Sequence, residues 1–250
     1  MSLDLQTAAN KRMRRGLIIL AAIAAVLAVI VVLLLAFGGG KKDDGKAPAP
    51  APTHVGPSNP TEGSEDSYAS PKSWVKLPEG KERSNGLPVR FPQTDEGAAA
   101  MAVALVRAGW SISPEEVEKA AGTYSVPEEA EAAKSMAKDS AAENRKAAGI
   151  PTSGPMPQDA AFNVIPIGVQ WEHQDNTHVK VSVDVRIVMS SGTGSSPDTR
   201  LVSTSTLAVW TDGDWKDHSI PPGQQPKPAD IGNPEFNSAG WKAIQEGDRR

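Results

Sequence analysis

Residues 16–37 read GLIILAAIAAVLAVIVVLLLAF, twenty-two positions without a charged, amide or hydroxyl side chain. As an α-helix the run is about 33 Å long at 1.5 Å per residue, enough to cross a hydrocarbon core of about 30 Å. A helix in a soluble domain buries one stripe and wets the rest, so apolarity on every side gains little there. A cleaved secretory signal has a shorter apolar region, about 7–15 residues, and a small-residue site, for which Ala36-Phe37-Gly38 is poor. Arg14-Arg15 suggests twin-arginine export, but no serine precedes the pair and the core that follows is very hydrophobic for that route. Lipid attachment through cysteine is excluded, because the chain has none. The run reads as one retained transmembrane helix contacting the bilayer through residues 16–37.

Orientation follows from the flanks. Lys11, Arg12, Arg14 and Arg15 crowd the amino side, against Lys41, Lys42 and Lys46 interleaved with Asp43 and Asp44 beyond the span. The excess of Lys and Arg places residues 1–15 as a cytoplasmic tail and the remainder outside the cell membrane. Charge divides the same way. Residues 1–46 hold seven basic and three acidic side chains, a net of plus four; residues 47–250 hold 19 and 27, a net of minus eight. Nucleic-acid binding rests on a basic stripe that neutralises phosphates, so no direct nucleic-acid contact is expected of this acidic ectodomain. The absence of cysteine removes disulfides, thiol nucleophiles and Cys-ligated metal sites.

Residues 38–70 are rich in Gly, Pro and charge and nearly free of large apolar side chains, a composition that does not offset the entropy of ordering. Ala-Pro alternation at Ala47–Pro52 favours polyproline II, and the whole linker, fully extended, would reach about 100 Å. Residues 71–220 form the expected extracytoplasmic domain. Residues 221–250 return to proline and polar side chains, and Gly240-Trp241-Lys242-Ala243-Ile244 leaves open whether this carboxyl tail docks on the domain or stays disordered.

Within the domain, Trp74–Pro92 reads as an irregular or short-stranded lead-in with a turn at Ser84-Asn85-Gly86. Helix starts follow at Thr94, at Ser113-Pro114 and at Ser125-Val126-Pro127, the last leading an Ala-rich helix that stops at Gly149. The period then changes to two. Ile165, Ile167, Val169 and Trp171 alternate in one strand, with Pro166 marking an edge or bulge. Val179, Val181, Val183, Val185, Ile187 and Met189 alternate with Lys180, Ser182, Asp184 and Arg186, which predicts one buried face and one wet face. A third strand over Thr199–Trp210 and a tight turn at Asp212-Gly213 complete an antiparallel sheet. Helices first and sheet afterwards make an α+β domain.

Side chains with catalytic potential are sparse. His173, His178 and Asp175 near one turn are a conceivable metal set, but no His-x-x-x-His spacing supports it and solvent-facing turn histidines are commoner. Gly-x-Ser-x-Gly and phosphate-binding loops are absent, so no catalytic, metal or cofactor residue is assigned. Trp110, Trp171, Trp210 and Trp215 suit packing between helices and sheet. Trp74 and Phe91, in the lead-in, are the candidate partner-binding residues.

The stretch Gly86-Leu87-Pro88-Val89-Arg90-Phe91-Pro92-Gln93-Thr94-Asp95-Glu96-Gly97-Ala98 resembles a segment of actinobacterial membrane proteins encoded near conjugative or integrative elements. Those proteins show Gly-Val-Pro-x-Gly-(Tyr/Phe)-Pro-x-Thr-x-x-Gly-Ala after a Trp such as Trp74. Leu87 stands here where Val is usual, and Arg90 where Gly is usual. The resemblance implies a cone-shaped, nuclear-transport-factor-like domain over about Trp74–Ile220, similar to the assembly factor of type IV secretion. It implies a non-catalytic scaffold or assembly subunit that self-associates and binds membrane protein partners. A ligand-binding accessory subunit of a lipid-import system, or an extracellular sensor, would instead need an enclosed apolar pocket. An isomerase-type enzyme on the same fold would need a buried Asp184 beside Tyr124.

Overall fold

The computed structural model describes residues 68–220 and 225–245. The tail 1–15, the apolar run 16–37 and the linker as far as residue 67 lie outside them. No helix among the described residues is long and apolar enough to cross a membrane.

The lead-in is more ordered than its composition suggests. Strand β1 (Trp74–Val75) is followed by the hairpin of β2 (Glu82–Ser84) and β3 (Leu87–Val89). Asn85 and Gly86 both have positive φ, 52° and 82°, the two-residue turn that matches strand twist. Helix α1 (Asp95–Gly109) begins at Thr94, whose hydroxyl accepts the Gly97 amide, with Asp95 and Glu96 at the positive end of the helix dipole. Helix α2 (Pro114–Tyr124) is capped by Ser113. The expected Ala-rich helix is divided: α3 (Pro127–Ser135) and α4 (Ala137–Ala147) meet at Met136. Gly149, with φ 70°, ends α4 through Gly149 N–H to Lys146 O and Ile150 N–H to Arg145 O, a Schellman closure.

Strands β4 (Ala160–Asp175), β5 (His178–Ser191), β6 (Asp198–Thr211) and β7 (Asp214–His218) follow as an antiparallel meander. A short helix α5 (Pro234–Ser238) and strand β8 (Lys242–Ile244) close the chain. The six-stranded order is β1-β8-β4-β5-β6-β7, with only the β1–β8 pair parallel. The carboxyl segment therefore docks, since β8 sits between the amino-terminal strand and β4.

Helix α1 lies on the sheet, and its Ala98, Ala99, Met101 and Ala102 are fully buried against the row Val179, Val181, Val183 and Val185. Small side chains let helix and sheet approach closely, and the apolar area removed from water there stabilises both. On β4 a bulge between Pro166 and Gly168 inserts one residue and exchanges the faces. Val169 and Trp171 pair with Val183 and Val181 on the helix side, but Ile165 pairs with Arg186 on the opposite side. The expected single face from Ile165 to Trp171 is corrected accordingly.

The opposite face of β5 is only partly wet, with Lys180 and Arg186 half-buried. Ser182 and Asp184 are buried, because residues 225–245 cross that face as a strap. Ala229, Phe236, Trp241 and Ala243 form a second small core there, with Ile231 and Ala239 packed against it. Gly168 makes room: a Cβ at that position would stand 3.0 Å from Phe236 ring carbons.

Candidate functional site

The motif around Phe91 is a helix-entry lock. Phe91 is 3% exposed in the main core, and its amide donates to Asp214 Oδ1 at 3.0 Å. The expectation of a partner contact at Phe91 is corrected: an apolar ring this enclosed gains more from the core than from a surface. Pro92 O accepts Trp215 Nε1–H at 2.8 Å, and the Trp215 ring meets Trp210 edge-to-face with centroids 5.3 Å apart. Gly97 faces the same carbonyl, since a Cβ there would lie 1.9 Å from Pro92 O. Arg90 adopts φ 61°, a backbone conformation natural to glycine, and Arg90 Nη1 donates to Asp212 O at 2.6 Å. Arg90, Phe91, Pro92 and Gly97 of the motif thus have structural duties where the first helix meets the sheet.

Trp74 is placed differently. It pairs with Ala243 on the edge of the sheet and is 54% exposed. Tyr68 is 68% exposed, its ring lying over Gly232 of the strap. Between them Asn237 accepts Lys72 N–H at 2.7 Å and donates to Ser70 O at 3.0 Å, so the first described residues run along the strap. Sequence reading missed Tyr68 because Ala69, bridged to Gly232, belongs to the fold rather than to the linker.

Among the described residues the titratable groups do not assemble into one site. His173 Nδ1 lies 2.8 Å from Asp95 Oδ1, whereas His178 Nδ1 lies 3.0 Å from Asp175 Oδ1. His218 Nδ1 lies 2.8 Å from Glu129 Oε1. Thr177 and His178 hold the Asp175 carboxyl well below the usual carboxylate range through hydrogen bonds, those of Thr177 contributing most. No group of three or more such side chains able to hold a metal ion occurs among the described residues.

Asp184 is the most unusual acid. It is fully enclosed by the strap; Oδ2 accepts Ala229 N–H at 3.2 Å and Oδ1 makes no hydrogen bond. Burial pushes its pKa up to about 7, opposed by the Ala229 and Val185 amides. Arg186 beside it is paired with Asp230. Burial likewise raises Asp217 to about 6, although Thr206 donates to it. Tyr124, raised mainly by burial and next by Asp214, donates to Pro88 O at 2.9 Å on the helix side of the sheet. Asp184 and Tyr124 therefore occupy opposite faces, and the carboxylate–phenol pair of an isomerase is not formed.

An open groove of about 500 Å³ runs beside the strap, lined by Gln170, Glu172, Lys180, Ser182, Gln225 and Lys227 among others. Its walls are polar and part of their hydrogen bonding is internal, since Ser205 Oγ donates to Gln225 Oε1 at 2.6 Å and stands 2.6 Å from Ser182 Oγ. Comparison with protein-family models, curated proteins and solved structures finds no match.

Proposed function

We propose that the chain is a non-catalytic, single-pass membrane scaffold, with its amino terminus in the cytoplasm and its α+β domain outside, serving as an assembly subunit of a conjugative or type IV secretion-like complex. We further propose that the domain is a cone of the nuclear-transport-factor-like kind; four helices followed by a long antiparallel meander with a bulge in β4 support that reading. The observation that carries the scaffold reading is the filled interior. Ala98, Ala99, Met101 and Ala102 occupy the helix–sheet space where a cone-shaped enzyme or lipid carrier would hold its ligand. The groove beside the strap is open and polar, unlike the enclosed apolar pocket that a lipid-import subunit needs.

The test is cross-linking of the tagged full chain in native membranes, followed by identification of the captured proteins. A secretion ATPase or channel subunits support the proposal. Lipid-import permease subunits would overturn it in favour of the accessory-subunit reading.

A further inference from the structure

We infer that the rim bearing Tyr68 and Trp74 rests on the surface of an anionic lipid bilayer; this rests on the membrane-anchored reading above. Tyr68, Trp74 and Met156 are the exposed large apolar side chains among the described residues, and two of them fall within seven residues of each other. Both lie along the strap, Tyr68 over Gly232 and Trp74 beside Ala243. Tyr and Trp join an apolar ring to a polar edge, the combination that settles at the lipid–water boundary.

Charge on the rim suits the same occupant. Residues 68–78 contain Lys72 and Lys76 and no acid, between Glu65-Asp66 and Glu79, in an ectodomain that sums to a negative charge. Both lysines are exposed, and neither makes an ion pair among the described residues. A lysine near an anionic surface contributes about 1 kcal/mol. The nearby exposed acids are Glu79, next along the chain, and Glu235 on the strap.

Connectivity supplies the third argument. Residues 38–67 join the apolar run directly to Tyr68, so the rim is the part of the domain nearest to its own anchor along the chain. Tethering turns a weak surface contact into an intramolecular one at high effective concentration.

The absence of cysteine permits a clean test. The full chain is prepared with Ser70→Cys or, as a distant control on α2, Glu115→Cys, each carrying a fluorophore. It is mixed with vesicles of phosphatidylcholine, with or without phosphatidylglycerol, containing a brominated quenching lipid. Carbonate extraction reports anchoring separately. We expect quenching at Ser70 and little at Glu115, strongest with phosphatidylglycerol. Replacing Lys72 and Lys76 by Gln should lower the docked-to-free ratio about fivefold for each lysine. Trp74→Ser with Tyr68→Ser should abolish the quenching while leaving carbonate resistance intact. Equal quenching at the two positions in an anchored chain overturns the rim contact alone. Quenching at Ser70 in a chain released by carbonate keeps the rim contact and overturns the anchor; no quenching in a released chain overturns both. A Ser70 signal that tracks protein concentration without vesicles assigns the rim to a second copy and overturns the lipid contact.

Discussion

The Phe236 ring lies so close to Gly168 that a single methyl group at residue 168 would stand 3.0 Å from two of its carbons and 3.3 Å from Asp184 Cβ. This contact fixes the strap onto the sheet. Gly168→Val should destabilise the domain by about 1–3 kcal/mol through overpacking, read as a lower denaturation midpoint. Phe236→Ala, which empties the same contact from the other side, should lose about 3–5 kcal/mol.

Asp184 makes stability fall as pH rises. Its carboxyl titrates near 3.8 when unfolded and at about 7 when enclosed, so the folded state holds the proton more tightly. The stability this contributes is complete below about pH 4 and lost as pH rises through 7. Asp184→Asn keeps an acceptor for the Ala229 amide and should flatten that slope, gaining on the order of 3 kcal/mol at pH 8. Chemical denaturation of both proteins between pH 4 and 8 checks it; parallel slopes would refute the assignment.

Gly97→Ala should be among the most damaging substitutions in the chain. Its Cβ would lie 1.9 Å from Pro92 O and 3.2 Å from Trp215 Nε1. Helix propensity alone would favour Ala over Gly by about 1 kcal/mol, so a fall in thermal midpoint isolates the clash.

Arg90 offers the opposite outcome. Arg90→Gly removes left-handed strain of about 1–2 kcal/mol and forfeits a hydrogen bond to Asp212 O worth about 1 kcal/mol, so thermal stability should change little. Arg90→Val, β-branched at positive φ, should unfold at a distinctly lower temperature.

Deleting residues 1–37 should yield a soluble, folded domain, because a polar spacer separates the apolar run from the residues that build the core. Near-UV circular dichroism of the six tryptophans reads the packing directly. An aggregated or molten product would show that the domain boundary is misplaced.

Local chemistry determined the elements that the chain reveals residue by residue. Thr94 and Ser113 cap helices, Gly149 stops one, and Asn85-Gly86 and Asp212-Gly213 turn hairpins, because caps and turns depend on side chains within a few positions of each other. The alternation from Val179 to Met189 located the buried face of β5 for the same reason. Tertiary structure decided the rest. Nothing near Asp184 indicates that Ala229 and Phe236 will cover it, since that contact spans a long stretch of chain and the tail's apolar residues are diluted by proline and polar neighbours. The exchange of faces at Ile165 depends on a bulge that only pairing with β5 defines. Trp74 and Phe91 share one lead-in and similar apolarity, yet the first stays at an edge and the second enters the core; the register of β8 and the position of Asp214 separate them, and both are set by distant parts of the chain.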